Sequence, residues 1–486
     1  MREAVYQTIC PGCSIGCGLY IRENDTGAKS IDFMKSSPAN LGKLCRFGMK
    51  LPSYYSTPES MVDASSSGLE EAIEAAASRL KDADDIVMVS VGNTTTEEHL
   101  AFTRIADTLD TVVNTGVSVY SELSPECHPY LGKGVSFADI EKANRIALFI
   151  DPYIQYPLLV RRLLTARDNG ASIVSVGTKD LHLADESKFI GPEQYEDELG
   201  LNEGSIIIAD VHPHTDPEQT KQLLNLTLGT GARILFMKPF VNTTGVHTMS
   251  KGKVKKKGLS QIMEDIDQGK IKTLLTLDSD LTELMPDTSK TIETLNKLDN
   301  LIVITSRDSP VNKMANVVIA TEPLYLKAGS LMNVEGRLQE NSASGIAGTD
   351  AMSALNEKVG GEAFDYQTLH ETVVERIANE RTRPEYCKVE YKITDTQPAD
   401  GKYNLTYLYN PFMWSDQADD NNFVMVSMNT VKNLGLKKGG MITLASEKST
   451  INMKYRIEDM PDNLILTAKK LPVATGMITE VTPEGY

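Results

Sequence analysis

The chain has 486 residues, enough for two to four structural units around a large apolar core. Its 49 Lys and Arg stand against 66 Asp and Glu, a formal net charge of −17, which argues against nucleic acid as a partner. It has no apolar run of about 18 residues and no signal-like N-terminus, so a cytoplasmic protein without a membrane span is expected; the six cysteines fit a reducing compartment.

Residues 1–60 read as a ligand module. Cys10, Cys13, Cys17 and Cys45 follow C-x2-C-x3-C-x27-C, three of them in a Gly-rich loop between strand-like runs at 4–8 and 18–22. A cubane iron–sulfur cluster needs thiolates converging from several sides, and a folded loop plus one remote cysteine supplies them. A structural zinc site, the alternative, usually pairs C-x2-C with a second such pair or with histidines.

Residues 61–355 alternate apolar strands with helices. A helix is expected over 68–81, a strand over 85–93 and a helix over 97–108. Strands follow at 145–151, 171–177, 205–209, 232–237, 273–277 and 301–305, with helices at 156–168 and 217–228. Continuous apolar strands between helices predict parallel α/β sheets covered on both faces. Ligands bind such sheets at the carboxyl ends of the strands, where Gly92, Asn93, Asp151, Thr178, Lys179, Asp278 and Ser306 fall. No G-x-G-x-x-G follows a strand. Residues 356–400 hold a helix over 365–379 and a polar linker, and 401–486 read as a small β-barrel-like module of short strands. The lysine run at 251–257 reads as a solvated loop, Cys387 as a thiol without a role, and His212 and His214 as surface-loop residues.

Several stretches together resemble the molybdopterin oxidoreductases, most of all the formate dehydrogenase alpha subunits, with features shared with subunits B and D of formylmethanofuran dehydrogenase. They are the cysteine pattern ending in Gly42-Lys43-Leu44-Cys45, Gly92-Asn93 with Glu97-Glu98, Cys127-His128, Val241-Asn242-Thr243-Thr244-Gly245, Ala328 to Gln339 including Asn333, and the tail 426–444 containing Asn429. The resemblance implies a multi-domain α/β fold with an N-terminal iron–sulfur module and a C-terminal β-barrel. It implies a [4Fe-4S] cluster on Cys10, Cys13, Cys17 and Cys45, and molybdopterin guanine dinucleotide carrying molybdenum or tungsten. Cys127 would be the soft ligand of that metal. His128 would take a proton, and Asn242, Asn333 and Asn429 would join the strand-end residues in binding the cofactor.

The implied activity is reversible oxidation of formate or a formyl group to CO2, a small one-carbon substrate. Electrons would leave through the cluster to a flavin or iron–sulfur subunit in a hetero-oligomer. Two positions depart from the formate enzymes. Lys238 stands where they carry the arginine that holds the substrate carboxylate, and Phe47 where they often carry a lysine. A catalytically silent electron-transfer subunit of the same fold is therefore the alternative.

Overall fold

The computed structural model describes residues 4–121, 123–177, 179–213, 215–250, 257–285, 287–379, 388–392, 403–409, 422–437, 439–445, 450–471 and 480–483. Thr178, His214, Cys387 and the lysines from 251 to 256 lie outside the described residues. The chain forms two compact units. The first holds residues 1–133, 240–285 and 289–385, and the second 134–239, 286–288 and 386–486. No helix among the described residues is long and apolar enough to cross a membrane.

The first unit opens with an antiparallel three-stranded sheet of Ala4–Ile9, Gly18–Glu23 and Lys29–Phe33. Ile9 pairs with Gly18, so the cysteine loop is the hairpin connection. Helix Arg46–Tyr54 starts directly after Cys45. Behind it stands a seven-stranded sheet whose core runs Val317–Ala320, Asn300–Thr305, Thr273–Leu277, Ile86–Ser90 and Val113–Thr115, all parallel. Short antiparallel strands Met61–Val62 and Ser65–Ser66 extend one edge.

Helices Leu69–Lys81, Thr96–Thr108 and Ala347–Lys358 supply residues to one apolar core with these strands, including Leu80, Met88, Phe102, Ile105, Leu277 and Met352. Each such side chain contributes about 1.5–3 kcal/mol by leaving water. The Thr95 hydroxyl caps its helix by accepting from the Glu98 amide.

The second unit has a five-stranded, wholly parallel sheet in the order Glu186–Lys188, Ser172–Val176, Arg145–Leu148, Ser205–Asp210, Arg233–Met237. Its other sheet is mixed and six-stranded, from residues 404–407, 464–467, 423–426, 450–457, 441–445 and 480–483 in that order. The expected parallel sheets are present, and the C-terminal strands make the sheet of a half-barrel.

Two expected elements are shorter, for local reasons. The strand over 85–93 stops at Ser90, because Gly92 turns the chain at φ +100° and its carbonyl accepts from the Asn242 amide. The helix expected from Tyr156 begins at Leu159, since Pro157 keeps the residue before it out of helical geometry.

Candidate cluster and cofactor sites

Cys10 and Cys17 are buried and Cys13 and Cys45 half-buried. Burial raises all four thiols; Cys13 is pushed up to about 12. Neighbouring thiols add to the rise at Cys10, Cys13 and Cys17, with Cys45 acting on each. Backbone N–H groups of Gly12, Ile15, Phe47 and Gly48 pull the other way, offering hydrogen bonds to sulfur. Among the described residues, no three or more His, Cys, Asp or Glu side chains are placed to hold one metal ion.

The Cys10 amide donates to the Cys17 carbonyl at 2.8 Å. Asn40 joins the loop to the remote cysteine. It accepts from the Gly18 amide at 3.0 Å and donates to the carbonyls of Gly18 and Lys43 at 3.1 and 2.7 Å.

The stretch from Ala328 to Gln339 lies against this loop. The Asn333 and Gln339 amides donate to the carbonyls of Ile15 and Gly16 at 3.1 and 3.0 Å, and the Val334 amide donates to the Ser14 carbonyl at 2.8 Å. Gly16 sits at φ +71°, and a Cβ there would stand 2.6 Å from Gln339 Oε1, so only glycine fits.

The same stretch is tied to the strand-end loops. Glu97 accepts from the Ser330 amide and hydroxyl, both at 2.8 Å. Asn242 accepts from the Met332 amide at 2.8 Å and donates to the Thr94 carbonyl at 2.8 Å. Lys327 reaches Glu98 at 2.7 Å and Asp278 at 3.5 Å, all three nearly sealed from solvent. Asp278 also accepts from the Ser306 amide and hydroxyl, at 2.6 and 2.8 Å. Of the residues expected to bind cofactor, Asn242, Asn333, Asp278 and Ser306 are therefore engaged with protein groups. Asn93 is half-buried and donates to Tyr54 Oη at 3.4 Å.

Cys127 is fully buried in the short turn Pro125–Leu131, with Ser124 Oγ 3.6 Å from its sulfur. His247 Nε2 stands 2.9 Å from the carbonyl oxygen of the next residue, His128.

In the second unit, Asp151, Lys179, Asp210 and His212 gather at the carboxyl ends of the five strands, around a cavity of about 680 Å³. Lys179 pairs with Asp151 at 3.0 Å and approaches Glu458 at 3.7 Å. Gln155 donates to Asp210 at 2.6 Å. Burial pushes Asp210 up to about 7 and His212 down to about 3, so both favour their neutral forms although they stand 3.4 Å apart. His212 is buried against Asp210, not in the surface loop expected of it. Gln222 Oε1, also lining the cavity, is buried and has no hydrogen-bond partner among the described residues. Lys238 follows the edge strand Arg233–Met237; it is buried, and desolvation lowers it to about 7. Asn429 lies at the surface and donates to Asp462 at 3.1 Å.

Asp210, Gln222 and Lys327 were missed from sequence. Asp210 obeyed the strand-end rule that marked Asp151 and was legible; a lysine one residue before Ala328 and a glutamine inside a helix carry no such signal.

Residues 3–56 match the Molybdopterin oxidoreductase Fe4S4 domain. The chain is 29% identical over 192 residues to the F420-dependent formate dehydrogenase subunit alpha of Methanocaldococcus jannaschii, a match covering 36% of this chain and 28% of that protein. It is 23% identical over 197 residues to the F420-dependent formate dehydrogenase 2 subunit alpha of Methanococcus maripaludis, covering 37% and 29%. The chain thus spans less than a third of the length of these curated relatives. Acetylene hydratase from Pelobacter acetylenicus superposes with a TM-score of 0.64 over 95% of this chain and 92% of that one at 11% identity, which shows a shared fold.

Proposed function

We propose that this chain, whose residues 3–56 are a molybdopterin oxidoreductase Fe4S4 domain, is an iron–sulfur, molybdopterin-type oxidoreductase subunit that oxidises formate or a formyl group to CO2 reversibly. The observation that carries the reading is the continuous hydrogen-bonded path from the cysteine loop, through Asn333 and Gln339, to Asn242 and Glu97 at the strand-end loops. Four thiols, three on one hairpin loop and the fourth tied to it through Asn40, suit a [4Fe-4S] cluster by donor type and spacing. The cavity beside Asp210 and Gln222 is roomy and offers a buried acceptor with no partner among the described residues, which suits the nucleotide of a pterin cofactor.

When bound, a molybdenum or tungsten pterin supplies two-electron redox chemistry. Cys10, Cys13, Cys17 and Cys45 hold the cluster. Cys127 presents a soft thiolate to the metal, and its burial excludes water. The His128 ring accepts the proton released from substrate. Lys238 offers an ammonium to a carboxylate, and its lowered pKa makes that charge available below about pH 7. Electrons pass to a flavin or iron–sulfur partner.

Metal analysis of the anoxically purified chain tests this. About four irons and one molybdenum or tungsten per chain are expected, with Cys127→Ala keeping the iron and losing both the heavy metal and formate-dependent viologen reduction. Four irons without a heavy metal in the wild type would instead favour a silent electron-transfer subunit. That second reading is supported by Asn242, Asp278, Ser306 and Asn333 already being engaged with protein groups.

A further inference from the structure

The segment from Phe33 to Pro58 contains Lys35, Lys43, Arg46 and Lys50 and no Asp or Glu, in a chain whose net charge is −17. This basic island surrounds Cys45 in sequence; Cys45, like Cys13, is half-buried, while Cys10 and Cys17 are buried.

All four basic residues are exposed. On helix Arg46–Tyr54, Arg46, Met49 and Lys50 are exposed at i, i+3 and i+4, while Phe47, Gly48 and Leu51 face inward. Lys35 lies beside the turn at Gly42, where an added Cβ would be 3.0 Å from the Lys35 Cα, and Asn40 holds the Lys43 carbonyl at 2.7 Å. Within the charges stand two exposed apolar side chains, Leu41 at 40% and Met49 at 48% exposure. Leu41 has φ +49°, a left-handed conformation that β-carbon sterics disfavour for leucine. The Leu41 amide donates to the Ser37 carbonyl at 2.8 Å, so the turn itself is held while the leucine side chain stands in water.

We propose that this face is the docking surface for a small acidic iron–sulfur electron carrier, which exchanges one electron with the cluster at its Cys45 edge. The inference rests on the electron-transfer reading above. The apolar pair supplies the contact that excludes water, and the basic ring supplies steering and selects an acidic partner. The step moves a single electron from the reduced carrier to the oxidised cluster and makes or breaks no bond.

The test uses the whole iron-loaded chain, an acidic plant-type [2Fe-2S] ferredoxin reduced beforehand, and stopped-flow detection of ferredoxin reoxidation. The rate constant is expected to fall about tenfold from low salt to about 0.5 M salt, where charges are screened within a few ångströms. The triple variant Lys35→Glu, Lys43→Glu, Lys50→Glu turns the face net acidic, so it should be slower by about tenfold or more at low salt, and its rate should rise rather than fall as salt is added. Reduction of the variant by methyl viologen, which needs no docking face, should match the wild type. A ferredoxin rate indifferent to salt, or equal in the variant and the wild type, overturns the proposal. If the triple variant loses its cluster, Lys43→Gln with Lys50→Gln carries the same comparison with a smaller expected drop. A wild-type chain without a reducible cluster would sink the electron-transfer reading itself, whereas a viologen-reducible cluster indifferent to ferredoxin charge sinks only the docking face.

Discussion

The imidazole of His247 has a geometric task. A carbonyl oxygen can only accept, so the 2.9 Å contact with the His128 carbonyl makes Nε2 the protonated nitrogen. The bond fixes the backbone next to Cys127 from helix Thr243–Met249, which begins at Asn242. His247→Leu should loosen that loop and speed alkylation of Cys127 by iodoacetamide several-fold, matching the ~0.5–1.5 kcal/mol of one hydrogen bond. His247→Gln keeps a donor and should return the rate to that of the wild type. Equal rates in the two variants would mean that the bond does not position the loop. Cys127 and His128 are adjacent in sequence, whereas His247 lies 119 residues from His128, and only the fold brings it there.

At the scale of elements, Lys327 is a strut. It leads into the hairpin of Ser330–Met332 and Leu338–Glu340, and it binds Glu98 on one helix and Asp278 at the end of a strand. Burial raises Glu98, and Lys327 pulls it back. Removing the ammonium leaves two carboxylates in a site sealed from water, so Lys327→Met should cost ~3–5 kcal/mol, read as a lowered urea midpoint. Adding Glu98→Gln should recover part of the loss, because one uncompensated charge then disappears. A single variant costing under ~1 kcal/mol would show that water reaches the site. The strands and helices themselves were readable: the run expected at 273–277 became strand Thr273–Leu277, buried at every position as a strand covered on both faces is. Helix Ala347–Lys358 was not, because its buried face is mostly small or polar, with Gly348, Thr349, Ser353 and Asn356 among the buried residues.

For the molecule as a whole, two units with separate sheets imply separate responses to pH. In the unfolded chain near pH 5 a histidine is protonated and an aspartate is not. In the second unit burial reverses both, with Asp210 at about 7 and His212 at about 3. Asp210's raised pKa contributes stability that is fully present below about pH 4 and lost as pH rises through 7. His212's lowered pKa acts in the opposite sense, with stability lost as pH falls from about 6.5 toward 3. Between about pH 4 and 6.5 folded and unfolded states bind the same number of protons at this pair, so its contribution is flat. His212→Gln should expose the Asp210 effect alone, a loss of ~4 kcal/mol from pH 4 to 7. Amide exchange of Ile206, Ile207 and Ile208 in the variant and the wild type would measure it; a profile as flat in His212→Gln as in the wild type counts against the assignment.

By itself the sequence determined the cysteine loop and the parallel sheets, because each is encoded in residues close along the chain: a cysteine spacing, an apolar period. Only the tertiary structure decided which expected binders are engaged with protein groups, as Asn242 and Asn333 are, and which groups gather at the second unit's cavity. It also decided that Lys35, Lys43, Arg46 and Lys50 are exposed. Hydrogen bonding, desolvation and charge fields act through space, and their partners are hundreds of residues apart in sequence, as with Ile15 and Asn333.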